Sequence, residues 1–387
     1  MRHVKSILIL LCSLMLISAN AQEKKLSVSG YVSGMPSIIV QQQTETEVWW
    51  QGLVHNRLNF NGQINKYFRI DVGMRNRLIT GSDILLNPQS ISYDAGRLNL
   101  SCNIKESKFA VLNSSFDRLH LTFEKDKWKL QLGRQRINWG QTFVWNANDI
   151  FNTYSFFDFD YPERSGCDAL RLTYYSNETS LLELAASLNR NDEVTTALLY
   201  RWNWKNIDFQ VLAGEQAGKD IIIGGAITSD IKGLNIRSEA SYFHPIKSII
   251  DTSGIVAVSF GLDYVFSNSL MLQAEALYNN VGKDASNGSG LMALYAAPLS
   301  AKRLSICEWN IFTQVSYPFT PRFNGSLSGM YFIDMQSFFT GMSLDYSIIT
   351  NLDFSFVAQY FYLNKDNFPN RKDMHVFLGF ARVKYSF

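Results

Sequence analysis

Polar and apolar residues alternate along most of this chain, in runs that often exceed the average of about 5–6 residues for strands of globular proteins. In one run, Phe68, Ile70, Val72 and Met74 alternate with Arg69, Asp71, Gly73 and Arg75. Similar runs cover 118–124, 234–242, 258–266 and 352–360. Successive side chains of a β-strand point to opposite faces, so each run predicts a strand with one apolar and one polar face.

A soluble sandwich or propeller also has alternating strands, but two further features favour a membrane barrel. Beyond residue 21, no apolar segment reaches the ~20 residues that a membrane-spanning helix needs. Large rings stand near the ends of many runs, as in the aromatic girdles of membrane barrels: Trp49, Trp50, Trp128, Tyr174, Trp202, Trp204, Tyr264, Tyr278, Trp309, Tyr317, Tyr346 and Tyr362. Strands that cross a membrane satisfy every backbone group when they close into a barrel. We therefore predict an all-β fold, a transmembrane antiparallel β-barrel.

The spacing of the runs predicts the number of strands and the lengths of the connections. Counting hairpins gives about 18 strands, with about 16 as the fallback because the first run and the run at 220–231 are the weakest. Long connections are expected at 79–114, 138–168, 245–254, 280–306 and 364–373, and short turns between the other strands. In membrane barrels the short turns are periplasmic and the long loops extracellular.

Both ends of the chain carry signals for export. Residues 1–21 combine basic Arg2 and Lys5 with an apolar run and the small residues Ala19 and Ala21, which predicts a cleaved signal peptide. Residues 22–387 are then expected to form a single barrel domain. The segment 374–387 alternates up to Phe387, and such a strand resembles those that barrel-assembly machinery recognises. We therefore expect this machinery as a partner, and the cell outer membrane as the location.

Charge and cysteine usage exclude several other functions. Without Arg2 and Lys5, the basic residues equal the 34 acidic ones, and no basic block indicates nucleic acid. Cys102, Cys167 and Cys307 have no disulfide or metal-binding spacing. The four histidines beyond residue 21 lie in no catalytic motif. No enzyme activity, metal or cofactor is predicted.

The polar faces of the early strands carry more arginines than acids. The predicted basic wall of the lumen consists of Arg69, Arg75, Arg77, Arg118, Arg171 and Arg201. Rings of charge tune the selectivity of a pore, so these residues are candidates for drawing in anionic or polyhydroxylated solutes. The alternative is that each arginine is a paired, solvated wall charge that stiffens the barrel.

The connection at 138–167 is long and rich in rings, and it is acidic near its end. One interpretation folds it into the lumen, where it narrows the channel, with its acids facing the basic wall; the other packs it over the mouth. The residues assigned to this constriction loop are Trp139, Phe143, Trp145, Asp149, Asp158, Asp160 and Glu163. Strict alternation directs Arg134 and Arg136 toward lipid, unless they lie above the membrane or a bulge at Gly133 turns them inward.

Part of this region of the sequence resembles a known family of proteins. The residues concerned are Gly133, Arg134 and Gln135, Asn138, Trp139 and Gly140, and the later Asn148-Asp149-Ile150-Phe151-Asn152. They resemble substrate-selective outer-membrane porins of Gram-negative bacteria, including the alginate-export type and its uncharacterised relatives. The resemblance implies passive passage of a solute, and elsewhere it concerns only the architecture of the strands.

The expected function is a porin for passive, selective diffusion of small hydrophilic solutes that are anionic or sugar-like. Two alternatives remain open. A hydrophobic-solute channel is indicated by Phe312, Phe332, Phe339 and Phe361 on inward phases, and a structural or adhesive surface barrel would have a blocked lumen. The expected partners are outer-membrane lipid, the solute and further copies of the chain in a homo-oligomer.

Overall fold

The fold is described from a computed structural model that covers residues 26–82, 86–154, 156–157, 163–248, 253–281, 300–367 and 371–387. The predicted signal peptide at 1–21 lies outside these residues, as do Asp158 and Asp160. Among the described residues, no helix has the length and apolar character needed to cross a membrane.

Nineteen strands account for most of the described chain. They are β1 Leu26–Gln42, β2 Thr46–Gln63, β3 Phe68–Gly81, β4 Ser101–Ser107, β5 Ala110–Lys125, β6 Trp128–Gln135, β7 Cys167–Tyr175, β8 Leu181–Leu188, β9 Val194–Trp204, β10 Ile207–Gln216, β11 Asp220–Ile231, β12 Leu234–Pro245, β13 Ile255–Val265, β14 Met271–Asn279, β15 Trp309–Thr320, β16 Phe323–Phe332, β17 Ser337–Ile349, β18 Leu352–Leu363 and β19 Met374–Ser386. A single-turn helix, α1 Pro88–Ile91, and two 3-10 turns, Ile246–Ser248 and Lys365–Asn367, lie in connections.

The sheet closes on itself because β1 pairs antiparallel with both β2 and β19. Every pair of neighbouring strands around the ring is antiparallel. At the closing seam between β1 and β19, for example, Tyr31 lies opposite Ser386. Strand β4 stands apart, because β3 pairs directly with β5 and β4 pairs with β5 alone. The closed barrel therefore has 18 strands, as the sequence predicted.

One rim of the barrel carries short turns and the other carries the long loops. The turns of the first rim cover 64–67, 126–127, 176–180, 205–206, 232–233, 266–270, 321–322 and 350–351. The opposite rim carries every connection longer than five residues: 82–100, 136–166, 246–254, 280–308 and 364–373. This is the predicted arrangement, and we call the two sides the short-turn rim and the long-loop rim.

Alternation separates an apolar outer face from an inner face. In β6 and β7, Leu132 and Leu170 are 58% and 44% exposed, whereas their neighbours Gln131 and Ala169 are 8% and 6% exposed. Exposed rings form two belts: Trp128, Trp204, Phe319, Tyr346 and Tyr385 near the short-turn rim, and Trp50, Tyr242, Trp309, Tyr331 and Phe377 near the long-loop rim. Such belts are typical of side chains at the two interfaces of a membrane.

The sequence predicted one long connection at 79–114, and this prediction is wrong, because parts of three strands lie within that range. Strand β3 extends to Gly81, β5 begins at Ala110, and β4 lies between them. Strand β4 forms because β6 is short and pairs with β5 only from Leu119 to Lys125. The remaining edge of β5 would have no partner, and β4 pairs with it from Ala110 to Ser115.

Candidate functional site in the barrel lumen

The β6–β7 loop, residues 136–166, contacts inward-facing side chains of the wall. The clearest contact is made by Glu275 of β14, whose carboxylate accepts the backbone N–H groups of Phe143, Val144 and Trp145 at 2.9, 3.0 and 2.7 Å. Glu275 is 4% exposed, so its charge is satisfied by three successive peptide dipoles instead of water. Charge-assisted bonds of this kind are among the strongest in proteins.

Two further glutamates and a glutamine hold the beginning of the same loop. Glu183 of β8 accepts the indole N–H of Trp139 at 2.6 Å. Gln210 of β10 donates to the Trp139 carbonyl at 2.8 Å. Glu239 of β12 accepts the hydroxyl of Thr142 and, at 3.3 Å, the N–H of Gln141. Residues 139–145 are thus bonded in order to strands β8, β10, β12 and β14.

The segment 148–152 fixes the middle of the loop against β10–β12. Asn148 donates to the carbonyl of Gly225 at 2.9 Å and accepts the hydroxyl of Ser241 at 2.7 Å. Asn152 accepts the backbone N–H of Ile137 at 2.9 Å, which ties the two ends of the segment together. The ring of Phe151 packs edge-on against Trp139, with 5.0 Å between centroids. In this chain the two asparagines of the stretch therefore hold the loop in place.

An aromatic cluster joins the loop to the opposite part of the wall. It consists of Phe143, Phe156 and Phe157 from the loop with Phe312, Phe339 and Phe361 from β15, β17 and β18. The three wall rings are fully buried. Phe156 and Phe312 lie 4.9 Å apart, and Phe157 and Phe339 lie 5.1 Å apart, with steep interplanar angles. Phe332 is also buried in this region, so all four inward-phase phenylalanines face the interior and pack together.

An arginine cluster lies on β2, β3, β5 and β19. Its members are Arg57, Arg75, Arg77, Arg118 and Arg382. Arg57 forms a two-pronged ion pair with Asp117. Arg75 donates to the ring of His55 at 3.2 Å, and Arg77 donates to Asn113 at 3.0 Å. Arg57, Arg75, Arg77 and Arg382 all lie within electrostatic reach of His55.

The end of the β6–β7 loop meets this arginine cluster. Arg118 donates to the backbone carbonyls of Glu163 and Arg164 at 2.7 and 3.0 Å. The Glu163 carboxylate accepts the hydroxyl of Tyr31 at 3.0 Å and lies 3.9 Å from Arg57. Of the two described acids of the predicted constriction loop, Asp149 and Glu163, it is Glu163 that lies against the arginine cluster.

The other arginines of the predicted basic wall lie elsewhere. Arg69 pairs with Asp71 at 3.0 Å, close to the short-turn rim. Arg171 pairs with Glu183 at 2.7 Å, and Arg201 donates to Gln210 at 2.6 Å. Arg171 and Arg201 therefore bind the same two side chains that hold Trp139. The predicted wall divides into the arginine cluster and a separate pair beside the start of the loop.

The Gly133-Arg134-Gln135 stretch supports the wall of the barrel. The pairing of β5 with β6 shows no register shift at Gly133, so Arg134 keeps the outward phase of Leu132. Arg134 is nevertheless 4% exposed, because residues 94–98 cover it and it pairs with Asp94 and Asp168 at 2.6 and 2.7 Å. A buried, doubly paired arginine avoids the cost of contact with lipid.

The remaining motif residues have different surroundings. Gln135 is buried and donates to the carbonyls of Gln131 and Ala169. A side chain at Gly140 would overlap the side chain of Asn146, so this position requires glycine. Asn138 is exposed.

Asp149 is the predicted loop acid with the most unusual environment. Its carboxylate is fully buried, and the groups that favour its charged form are the guanidinium of Arg136 and the backbone N–H groups of Trp139 and Asn152. Burial raises the pKa of Asp149 to about 7, against the opposing influence of these groups. The buried carboxyl is therefore half-protonated near neutral pH.

Two features of this site were not predicted from the sequence. Asp117 went unnoticed because it is the extra residue of a β-bulge, where Gly73 and Met74 face Arg118 and Phe116. Such a bulge directs two successive residues, here Asp117 and Arg118, to the same side, which strict alternation does not predict. Glu239 and Glu275 are visible as inward acids, but nothing in their spacing shows that backbone N–H groups bind them.

The four histidines beyond residue 21 make contacts with other residues of the wall. Besides His55, His120 lies 3.3 Å from Asp71, His244 contacts the Tyr242 hydroxyl at 2.9 Å, and His375 contacts the Tyr360 hydroxyl at 2.8 Å. Within the described part of the chain, no three histidine, cysteine or acidic side chains are grouped as metal ligands.

Comparison with known proteins identifies solved structures with a similar fold. No protein-family profile and no curated protein matches the sequence. Among solved structures, Pseudomonas aeruginosa OccK5 (OpdH) is similar with a TM-score of 0.57 and 9% identity, over 93% of this chain and 98% of that one. The outer membrane protein OprD from Pseudomonas aeruginosa gives 0.55 and 9%, over 93% and 94%. Acinetobacter baumannii OccAB1 gives 0.56 and 10%, over 93% and 97%. In fold, the chain is an 18-stranded closed barrel similar to the OprD and Occ outer membrane proteins.

Proposed function

We propose that this protein is a channel of the outer membrane through which small hydrophilic solutes diffuse passively. The observation that carries the proposal is the closed barrel whose outer face is apolar between two belts of rings, while its inner face holds charged and polar side chains. An 18-stranded barrel is wide enough for an aqueous lumen. The similarity of fold to outer membrane proteins supports the same location.

Within this channel, the solute path runs beside the arginine cluster. The adjoining sector of the wall, from β15 to β18, is filled by the aromatic cluster, whose wall rings are fully buried against the loop. The β6–β7 loop contacts both sectors and narrows the lumen. Its contacts with Glu275, Glu239 and Glu183 support a fixed constriction.

The proposed selectivity is for anions. The arginine cluster contains five guanidinium groups, and among the described residues Asp117 and Glu163 lie close to it. A group of guanidinium charges beside the solute path lowers the energy of an anion in the constriction and raises that of a cation. Paired arginines such as Arg69 and Arg171 contribute less, since a neighbouring carboxylate cancels much of their field.

The two alternatives have less support from the geometry. A hydrophobic-solute channel would need the inward phenylalanines to line an open path, yet Phe312, Phe339 and Phe361 are buried in ring contacts. A blocked surface barrel would use the loop as a plug. Absence of conductance in a folded barrel would support that second reading.

The export signals belong to the same proposal. Residues 1–21 act as a cleaved signal peptide, short turns face the periplasm, and the long-loop rim faces outward. Strand β19, which pairs with β1 at the seam, presents Phe387 to the barrel-assembly machinery. Association into a homo-oligomer is proposed from the sequence alone.

Planar bilayers test conductance and selectivity together. Purified protein is expected to insert with stepwise currents and to show a reversal potential shifted toward chloride in a KCl gradient. Replacing Arg77→Gln and Arg382→Gln together is expected to move the reversal potential toward potassium. Arg322→Gln, in an exposed turn of the short-turn rim, is the matched control and should leave it nearly unchanged. Equal reversal potentials in all three proteins would refute the proposed role of the arginine cluster.

A further inference from the structure

A cavity with both polar and apolar lining lies at the long-loop rim, away from the arginine cluster. It has a volume of about 570 Å³ and lies between residues 150–153 and 165–166 of the β6–β7 loop and the rim ends of β7, β8, β10 and β11. Ligand sites for small molecules commonly have volumes of about 300–1,000 Å³. The cavity is therefore large enough for a bound solute.

The charges around this cavity cancel. Its charged lining residues are Lys219, Lys302 and Asp220. Lys302 binds both oxygens of Asp220 at 2.8 and 2.9 Å, and Lys219 pairs with Glu193. With each ammonium matched by a carboxylate, the cavity offers no net charge to an ion. This balance distinguishes it from the arginine cluster.

The rest of the lining is rich in groups that bind hydroxyls. The side-chain hydroxyls of Ser165 and Ser187 have no hydrogen-bond partner within the described residues. The amide oxygen of Asn152 accepts Ile137, which leaves its N–H₂ group available as a donor. The ring of Phe151, half-buried against Trp139, also lines the cavity and provides an apolar surface. Hydroxyl and amide groups around one ring suit a ligand with many hydroxyls on an apolar carbon frame.

We propose that this rim cavity binds a neutral polyhydroxylated solute, a saccharide of two or three rings, before it enters the channel. The inference goes beyond the proposed anion selectivity, because it assigns a neutral ligand to a site apart from the arginine cluster. It rests on the proposed channel function only for the path that the solute takes afterwards. Binding itself does not depend on conduction. The two proposals can therefore fail separately.

Ligand-observed NMR with the full-length folded barrel tests the site. The protein is held in an amine-oxide detergent, which carries no sugar, and the probe is maltotriose. Saturation transfer to the sugar ring protons is expected for the unmodified protein. Ser187→Leu, which fills the cavity and removes a hydroxyl, is expected to weaken binding about tenfold, the factor that corresponds to one good hydrogen bond. Ser187→Ala removes the hydroxyl alone and should give a smaller loss.

The matched control is Ser267→Leu, which makes the same chemical change in an exposed turn of the short-turn rim. It should bind maltotriose as the unmodified protein does. Absence of transfer in a barrel that conducts would overturn the saccharide site and leave the channel standing. Binding in a barrel that does not conduct would support the site and refute the channel. Transfer to a sulfated disaccharide but not to maltotriose would show an anion site and overturn the inference.

Discussion

Two adjoining sectors of the barrel wall, an apolar side and a charged side, hold the β6–β7 loop by different forces. On the β15–β18 side, wall rings that are fully buried pack against Phe156 and Phe157. On the β2–β5 side, guanidinium groups reach the loop through carbonyls and through Glu163. Ring packing excludes water, whereas paired charges keep an affinity for it. The comparison shows how one loop closes one side of the lumen and leaves the other suitable for solutes.

The strongest test of the apolar side is Phe339→Ala. Phe339 is fully buried and contacts Phe157 and Phe361. Removing such a ring is expected to lower the free energy of unfolding by about 3–5 kcal/mol, since a cavity remains. Urea titration in phospholipid vesicles measures the change. Phe338→Ala, one residue earlier on the outward phase, should cost less, and an equal loss would contradict the packing role of the cluster.

A change of similar size is expected on the charged side for Asp117→Ala. Arg57 is 3% exposed, so losing Asp117 removes the two-pronged ion pair of a buried charge. Breaking such a pair typically costs about 3–5 kcal/mol, while replacing both members by apolar residues is often neutral. The double variant Arg57→Met with Asp117→Leu should therefore recover most of the stability in the same titration. If the single variant is as stable as the unmodified protein, ion pairing does not hold this side together.

A smaller effect is expected from Glu275→Gln, which acts between the two sides. The amide offers one acceptor where the carboxylate served three N–H groups. Each buried donor left unsatisfied costs about 1–3 kcal/mol, so residues 143–145 should exchange their amide hydrogens faster. Hydrogen exchange with mass spectrometry detects this, and current noise in bilayers should rise with it. Glu215→Gln, on an exposed position of β10, is the control and should change neither.

A further effect concerns the dependence of stability on pH. Because the pKa of Asp149 is raised from 3.8 to about 7, the folded loop binds a proton that the unfolded loop releases. The stability of the loop should therefore fall as pH rises from the lower to the upper of these values, and stay low above the upper one. Opening free energies from hydrogen exchange, corrected for intrinsic rates, measure this slope. Asp149→Asn should flatten it; an unchanged slope would assign the titration to another group.

The strands were predictable because lipid and water impose the same alternation on every one of them. The weak runs at 26–42 and 220–231 both form strands, and the count of 18 is correct. Strand β4 was not predictable, because its partner edge exists only where β6 ends, and that depends on three-dimensional pairing.

The candidate site was predictable in its residue types but not in its pairings. Arg75, Arg77 and Arg118 share one cluster, while Arg171 and Arg201 bind Glu183 and Gln210 on another side. Alternation gives the face of each side chain and leaves the neighbour across the lumen undetermined. Glu239 and Glu275 could also be assigned to the inner face, but the sequence does not show that backbone N–H groups of the loop bind them.

The pairing of β1 with β19 has a consequence for assembly. Residues 31–42 find their partners at 375–386, so this seam joins the two most distant strands of the barrel. Contacts so far apart in the chain form slowly, because a large loop of unordered chain has to close first. Until then, β1 offers an unpaired edge to any neighbouring polypeptide. A nascent barrel of this topology therefore has to be protected from aggregation until β1 and β19 have paired.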